Sequence, residues 1–307
     1  MMNAISMFRT GFTLLRLIAV LFSSFAAIIT TMLPLYLYYS FPLSDLLRIL
    51  SLLLLGTILI HGFLTHVLND YMDSISGTDT HSPGILSGGS GVVRSGQMTT
   101  DTLRSIGRVS IAAVLISILA FLILGYVKIA VLLAIGLYSA VAYSLPSLRF
   151  SYYPLLGEWV ATFPAVYFIG LGGVWLLMDQ PPVWAVQNAM IVSIFCLAWI
   201  MVHHIPDRYA DEQATPAKVT SVVWMKRTFG DTYSRFPAIL YFAMAASLAL
   251  WLGTERMTAA LGILILSIVS ILIVINLKIE DPEQVSNGEK QLLILTMVAA
   301  IWLGIFI

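Results

Sequence analysis

The chain has 307 residues, 59% of them hydrophobic and only 10% charged, and 16 Lys and Arg balance 16 Asp and Glu. A soluble domain carries about 25% charged residues, so an ordinary globule, a disordered chain and a nucleic-acid binder with a basic face are excluded. The lone Cys196 rules out an intramolecular disulfide and a zinc site built on several thiolates.

The 32 charges separate nine charge-free runs, at 17–44, 49–69, 109–127, 129–148, 159–178, 180–206, 236–254, 257–277 and 291–307. About 17–25 predominantly apolar residues span a bilayer as a helix. Backbone amides need partners in hydrocarbon, so each run is expected to be helical. The expectation is therefore an all-α polytopic membrane protein, a single domain over 1–307 with nine transmembrane helices in one bundle. The opening residues show no small-residue cleavage site after a short apolar core, so the first run reads as a retained span.

Lys and Arg set the orientation. The N-terminal residues and the loops near 71–108, 149–158, 207–235 and 278–290 share 13 of them; Arg48, Lys128 and Arg256 lie on the other side. The first side is expected to be cytoplasmic, with Ile307 outside. Outer loops are short: Gly125–Lys128, Asp179–Pro182 and Gly253–Met257. Two inner loops are long, from about Asp70 to Arg108 and from Asp207 to Arg235. Long loops in compact proteins are usually functional or disordered. Within the first, the stretch 77–96 holds six of the 21 glycines, Gly77, Gly84, Gly88, Gly89, Gly91 and Gly96, which suits a ligand-covering loop. Each long loop follows an apolar run that ends in aspartates. The recurrence suggests two similar four-helix halves, about 12–148 and 149–277, plus a last helix at 291–307.

The first acidic station reads His66-Val67-Leu68-Asn69-Asp70-Tyr71-Met72-Asp73, then Asp79; the second reads His203-His204-Ile205-Pro206-Asp207-Arg208-Tyr209-Ala210-Asp211-Glu212. Residues three or four apart share a helix face. Asn69 and Asp70 each align with Asp73, and Asp207 aligns with Asp211. Like charges at a helix C-terminus are costly because the dipole end is also negative. A hard cation such as Mg²⁺ removes that cost, taking carboxylate, amide and water oxygens and often substrate phosphates. Asn69, Asp70, Asp73, Asp207 and Asp211 are the candidate ligands. Arg94, Arg208 and Lys218 are candidate partners for a phosphate. Tyr143 sits about one turn inside the membrane near the inner end of the fourth run, with Arg149 just beyond it. Glu158 is placed to cap the fifth helix. His66 suits a hydrogen-bonded interior residue, and adjacent His203 and His204 do not share a face. A secondary transporter would normally carry ionisable groups near the midplane, and none of the nine runs holds an Asp, Glu, Lys or Arg. A lipid phosphotransferase would suit one Asp cluster better than two.

On these residues the chain resembles the UbiA superfamily of intramembrane prenyltransferases. The stretch Asn69-Asp70-Tyr71-Met72-Asp73 with Asp79, and Asp207-Arg208-Tyr209-Ala210-Asp211 with Lys218-Val219-Thr220, carry the likeness. The resemblance implies Mg²⁺-dependent transfer of a prenyl group from a prenyl diphosphate to a lipophilic, often aromatic, acceptor by ionisation of the allylic diphosphate. It implies Asp73, Asp207, Asp211 and Tyr143 as catalytic residues. Asn69, Arg94, Arg149, Arg208 and Lys218 are implied as diphosphate ligands. The stretch Gly77-Thr78-Asp79-Thr80 with Ser87-Gly88-Gly89-Ser90-Gly91 is similar to dihydroxynaphthoate prenyltransferases of menaquinone synthesis, which implies a quinone-precursor acceptor. The sequence departs from the pattern at His203, where many relatives have Asn, and at Ala217, where a Gly often precedes the Lys.

Overall fold

The computed structural model describes residues 17–82 and 89–307. Arg9, Arg16, Gly84, Ser87 and Gly88, which entered the orientation and loop expectations, lie outside the described residues.

The described residues form α1 (Leu17–Tyr38), α2 (Leu43–Ser76), α3 (Thr100–Ile123), α4 (Val127–Ser144), α5 (Gly157–Leu177), α6 (Val183–His203), α7 (Arg208–Gln213), α8 (Ser221–Phe229), α9 (Asp231–Leu252), α10 (Met257–Asn276) and α11 (Pro282–Ile305). There is no strand among the described residues. Eight of these helices are long and apolar enough to cross a membrane: α2 to α6 and α9 to α11. The described apolar part of α1, Phe22–Tyr38, is shorter.

The inner loops are more helical than their charge suggests. α2 runs on to Ser76, where Gly77 closes it in a left-handed conformation (φ 84°). The span 207–235 holds α7, α8 and the start of α9. The stretch 278–290 is mostly the first turns of α11, capped by the Asp281 side chain accepting from Glu283 N and Gln284 N. Charge ended the apolar runs at these residues; it did not end the helices.

α6 is the central helix, with 83% of its apolar window buried. That explains a sequence apolar all round rather than along one stripe. Asn188 of α6 donates to Thr30 O and Leu303 O, tying α1, α6 and α11 together. Thr31 of α1 donates to Gly170 O of α5. A Cβ on Gly170 would stand 3.2 Å from Ala27 O, so the backbones of α1 and α5 meet closely only because the residue is glycine.

Two helices carry a π-helical segment. In α2 it spans Ile58–Thr65 and in α5 Gly157–Thr162. Each ends at a threonine whose hydroxyl donates to the carbonyl five residues back: Thr65 to Ile60 O and Thr162 to Gly157 O, both 3.0 Å. Such segments leave carbonyls without the usual partner, and the threonines supply one.

Candidate active site

The C-terminal ends of α2, α4 and α6 and the N-terminal end of α5 meet at one end of the bundle. They enclose a cavity of about 400 Å³. Its walls are apolar side chains of α2, α3, α4, α5 and α6, with Phe121, Phe168 and Trp199 among them. Leu55 and Leu59 line it and are also 55% and 54% exposed, so the cavity reaches the apolar outer surface there. Its polar end holds Asn69, Asp73, Tyr143, His203, His204, Asp207 and Lys218.

Both acidic stations contribute. Asp73 and Asn69 share a face of α2, and Asn69 Nδ2 donates to Asp73 Oδ2 at 2.7 Å. That leaves the Asn69 amide oxygen as the atom it can offer a cation. Lys218 Nζ lies 3.2 Å from Asp73 Oδ1 and 3.5 Å from Asp211 Oδ1, so one ammonium joins the stations. The Ser82 hydroxyl donates to Asp207 Oδ1, and Thr215 N donates to Ser76 O, binding the same two segments again.

The electrostatics follow from burial. Burial pushes the Asp211 carboxyl up to about 8; Lys218 opposes that rise, and Asp207 and Asp73 add to it. Burial raises Asp207 too, against the Ser82 hydrogen bond. For Lys218 burial alone would favour the neutral amine, but Asp211 and Asp73 overcome it and hold the ammonium well above its usual range. Burial, with repulsion from Lys218 and His203, keeps His204 well below the usual imidazole range. A neutral His204 can accept from the Tyr143 hydroxyl, 3.1 Å from its Nε2.

Several candidates are turned elsewhere. Arg208 does not reach the cavity: its Nε and Nη2 grip Asp231 at 2.7 and 2.9 Å, and Nη1 donates to Ile205 O and Ile279 O. It is a buried structural fork, so its assignment as a diphosphate ligand is corrected. Arg208→Met is therefore expected to lower stability by about 3 kcal/mol, since it strands Asp231 and two carbonyls. Thermal unfolding in detergent checks this; an unchanged midpoint would contradict it. Arg149 lies over the Tyr152 ring, 5.3 Å from its centroid, and does not line the cavity. Arg94 is exposed and donates to Asp79 O at 3.4 Å. Asp70 accepts from Ser90 N at 3.1 and 3.3 Å, so it holds the glycine loop rather than the cavity end. Gly89 (φ 73°) abuts the Asp79 carboxylate with no room for a Cβ, which accounts for a glycine there. Asp211 is fully buried and lies behind Lys218, outside the cavity lining. Glu158 sits in the first turn of α5, as expected of a dipole-facing carboxylate, and is buried.

Ser82 and Glu289 were not anticipated. Ser82 stands in a loop with no motif to mark it. Glu289 looked like one more charge in the flank of the last span.

The donor set suits a hard divalent cation. Asp73, Asp207 and Asn69 offer oxygens to one cavity, and both Asp211 oxygens are buried with no hydrogen-bond partner among the described residues. No group of three or more His, Cys, Asp and Glu among the described residues is arranged to hold a metal by itself. Oxygens from a phosphate-bearing substrate would complete such a shell.

A charged end on an apolar cavity, inside helices long and apolar enough to cross a membrane, defines an integral membrane protein with an amphiphilic site. The model of the UbiA prenyltransferase family matches residues 27–295, and the chain belongs to that family. It is a multi-pass intramembrane prenyltransferase. A solved structure described as digeranylgeranylglyceryl phosphate synthase in membranes has the same fold, with TM-score 0.57 and 14% identity, covering 97% of this chain and 98% of that one. No curated protein sequence matches the chain.

Proposed function

We propose that the protein transfers a prenyl group from a prenyl diphosphate to an aromatic, quinone-precursor-like acceptor, with Mg²⁺ as cofactor and the reaction at the cytoplasmic face. The observation that carries this is the junction of Asp73, Asp207 and Lys218 at the polar end of an apolar cavity that reaches the lipid-facing surface. Asn69, Asp73 and Asp207 would hold the cation from the cavity, Asp211 would join them if Lys218 swings aside, and the cation would neutralise the diphosphate as a leaving group. Lys218 is the protein's own fixed cation there, placed to follow the negative charge as it develops. The apolar walls keep water from the allylic fragment, and Phe121, Phe168 and Trp199 offer ring faces to it. The Lys and Arg distribution supports the cytoplasmic placement.

The test is incubation of purified protein with geranylgeranyl diphosphate, Mg²⁺ and separately a hydroxybenzoate, a dihydroxynaphthoate or glycerol phosphate. A prenylated aromatic product, lost in excess EDTA, is expected. Product with glycerol phosphate alone would overturn the aromatic assignment, and full activity in EDTA would overturn the metal.

The Asp211 carboxyl gives the reaction a pH signature. Burial raises its value, so a proton competes with a cation for this group more strongly than for an ordinary carboxylate. Metal binding must then release that proton. The Mg²⁺ concentration for half-activation is expected to fall as pH rises from about 6.5 to 8, by up to about tenfold per unit, and then level off. A magnesium titration at several pH values checks this; a pH-independent requirement would contradict it.

A further inference from the structure

Prenyl transfer to any hydroxyl or ring carbon also displaces a proton, and the acidic stations are ill placed to take it. Asp73 and Asp211 are held by Lys218, and a cation would hold them more tightly still. Of the four histidines lining the cavity, His204 is engaged with Tyr143, and His61 Nδ1 is 2.8 Å from the Ser24 hydroxyl.

His203 differs in what stands behind it. It is the last residue of α6 and, like Asp207 in the turn that follows, lines the cavity. Its Nδ1 lies 3.3 Å from Oε1 of Glu289 on α11. Glu289 is fully buried, and neither its carboxylate oxygens nor His203 Nδ1 makes a hydrogen bond among the described residues, so the 3.3 Å approach is one that a small rotation or a proton on the ring would close. A carboxylate buried in a membrane-crossing helix is costly, rare and usually functional. Trp199 fixes the pair: its indole stacks on the His203 ring, with centroids 5.3 Å apart and planes at 24°, and its Nε1 donates to Glu289 O at 3.1 Å. One aromatic side chain therefore sets both the ring plane and the backbone that carries the carboxylate.

We propose that His203 accepts the acceptor's proton and that Glu289 is its positioning residue. This rests on the prenyltransferase reading. The allylic C–O bond breaks and its electron pair leaves with the diphosphate. The acceptor's nucleophilic oxygen or carbon forms the new bond to the prenyl carbon, and its proton passes to His203 Nε2. Glu289 keeps the second imidazole proton on Nδ1, so Nε2 is left with its lone pair. It then balances the imidazolium charge inside the bundle. The proton returns to water before the next turnover.

The test separates ionisation from transfer. The full-length protein in liposomes is given geranylgeranyl diphosphate, Mg²⁺ and each of the three acceptor probes. Released diphosphate and prenylated acceptor are measured together. The wild type is expected to form about one prenylated acceptor per diphosphate. In Glu289→Gln and His203→Gln that ratio should fall at least about tenfold, the missing prenyl groups appearing as the alcohol formed by water. Glu289→Asp should restore part of the ratio. A purely structural role would lower both products together and leave the ratio at one, and that outcome overturns the proposal. If Glu289→Gln does not fold, an unchanged ratio in His203→Gln overturns it equally. A wild type that releases diphosphate and makes product, with unaltered ratios in the variants, refutes only the proton role. A wild type that releases no diphosphate with any probe refutes the prenyltransferase reading and the proton role with it.

Discussion

Asp73→Ala and Asp207→Ala are each expected to lower prenyl transfer by on the order of 10³-fold, the scale on which removal of one group stabilising a developing charge acts. Each takes away an oxygen facing the cavity, and neither removes core packing. Asp73 loses its contacts with Asn69 and Lys218, and Asp207 its contact with Ser82. The variants should therefore remain folded and membrane-inserted. Initial rates at saturating Mg²⁺ and donor, alongside thermal unfolding, are the measurements. Turnover within tenfold of wild type in both variants would remove the acidic stations from the reaction.

Lys218→Met should act most strongly on the ligand-free protein. The ammonium is the counter-charge for two buried carboxylates, Asp73 and Asp211. Removing one partner of a buried ionic group costs about 3–5 kcal/mol, because the remaining charges keep their desolvation penalty. A divalent cation can then take over the role. Mg²⁺ is expected to raise the unfolding midpoint of Lys218→Met more than that of the wild type, by mass action on the folded state. A midpoint equal to that of the wild type without Mg²⁺, or an equal gain in both proteins with it, would show that the lysine does not carry the charge balance.

Much of this was legible in the sequence because hydrocarbon imposes a simple rule on it. Runs without charge had to become helices, and the runs at 159–178 and 257–277 agree with α5 and α10 to within two residues. The meeting of the two acidic stations at one end was legible too, since both follow helices that run the same way. The destinations of the arginines were not. Arg208 sits inside the second station, yet its fork closes on Asp231, a residue 23 positions along that has no motif of its own. Spacing reports which residues share a helix face, but not which loop residue folds back to claim one of them. Glu289 was missed for a related reason: its burial depends on α11 packing against α6, a contact between distant segments. The glycine loop was read as a cover for ligand; in its described part Ser90 N is held by Asp70, Gly89 packs on Asp79, and Gly89 lines the cavity.

The π-helical segment of α2 has a bearing on the acidic station some way along the same helix. A π turn holds one more residue than an α turn, so everything beyond it is rotated by about 100° relative to an uninterrupted helix. His66, Asn69 and Asp73 all follow the segment at Ile58–Thr65. Their direction is thus a matter of phase, set upstream by a single extra residue. Excising one residue between Ile58 and Thr65 would return the helix to regular winding while changing no group in the cavity's polar end. The carboxylate stripe would then face a neighbouring helix. In this protein the aim of the carboxylates is encoded in the count of residues before them as much as in their identity.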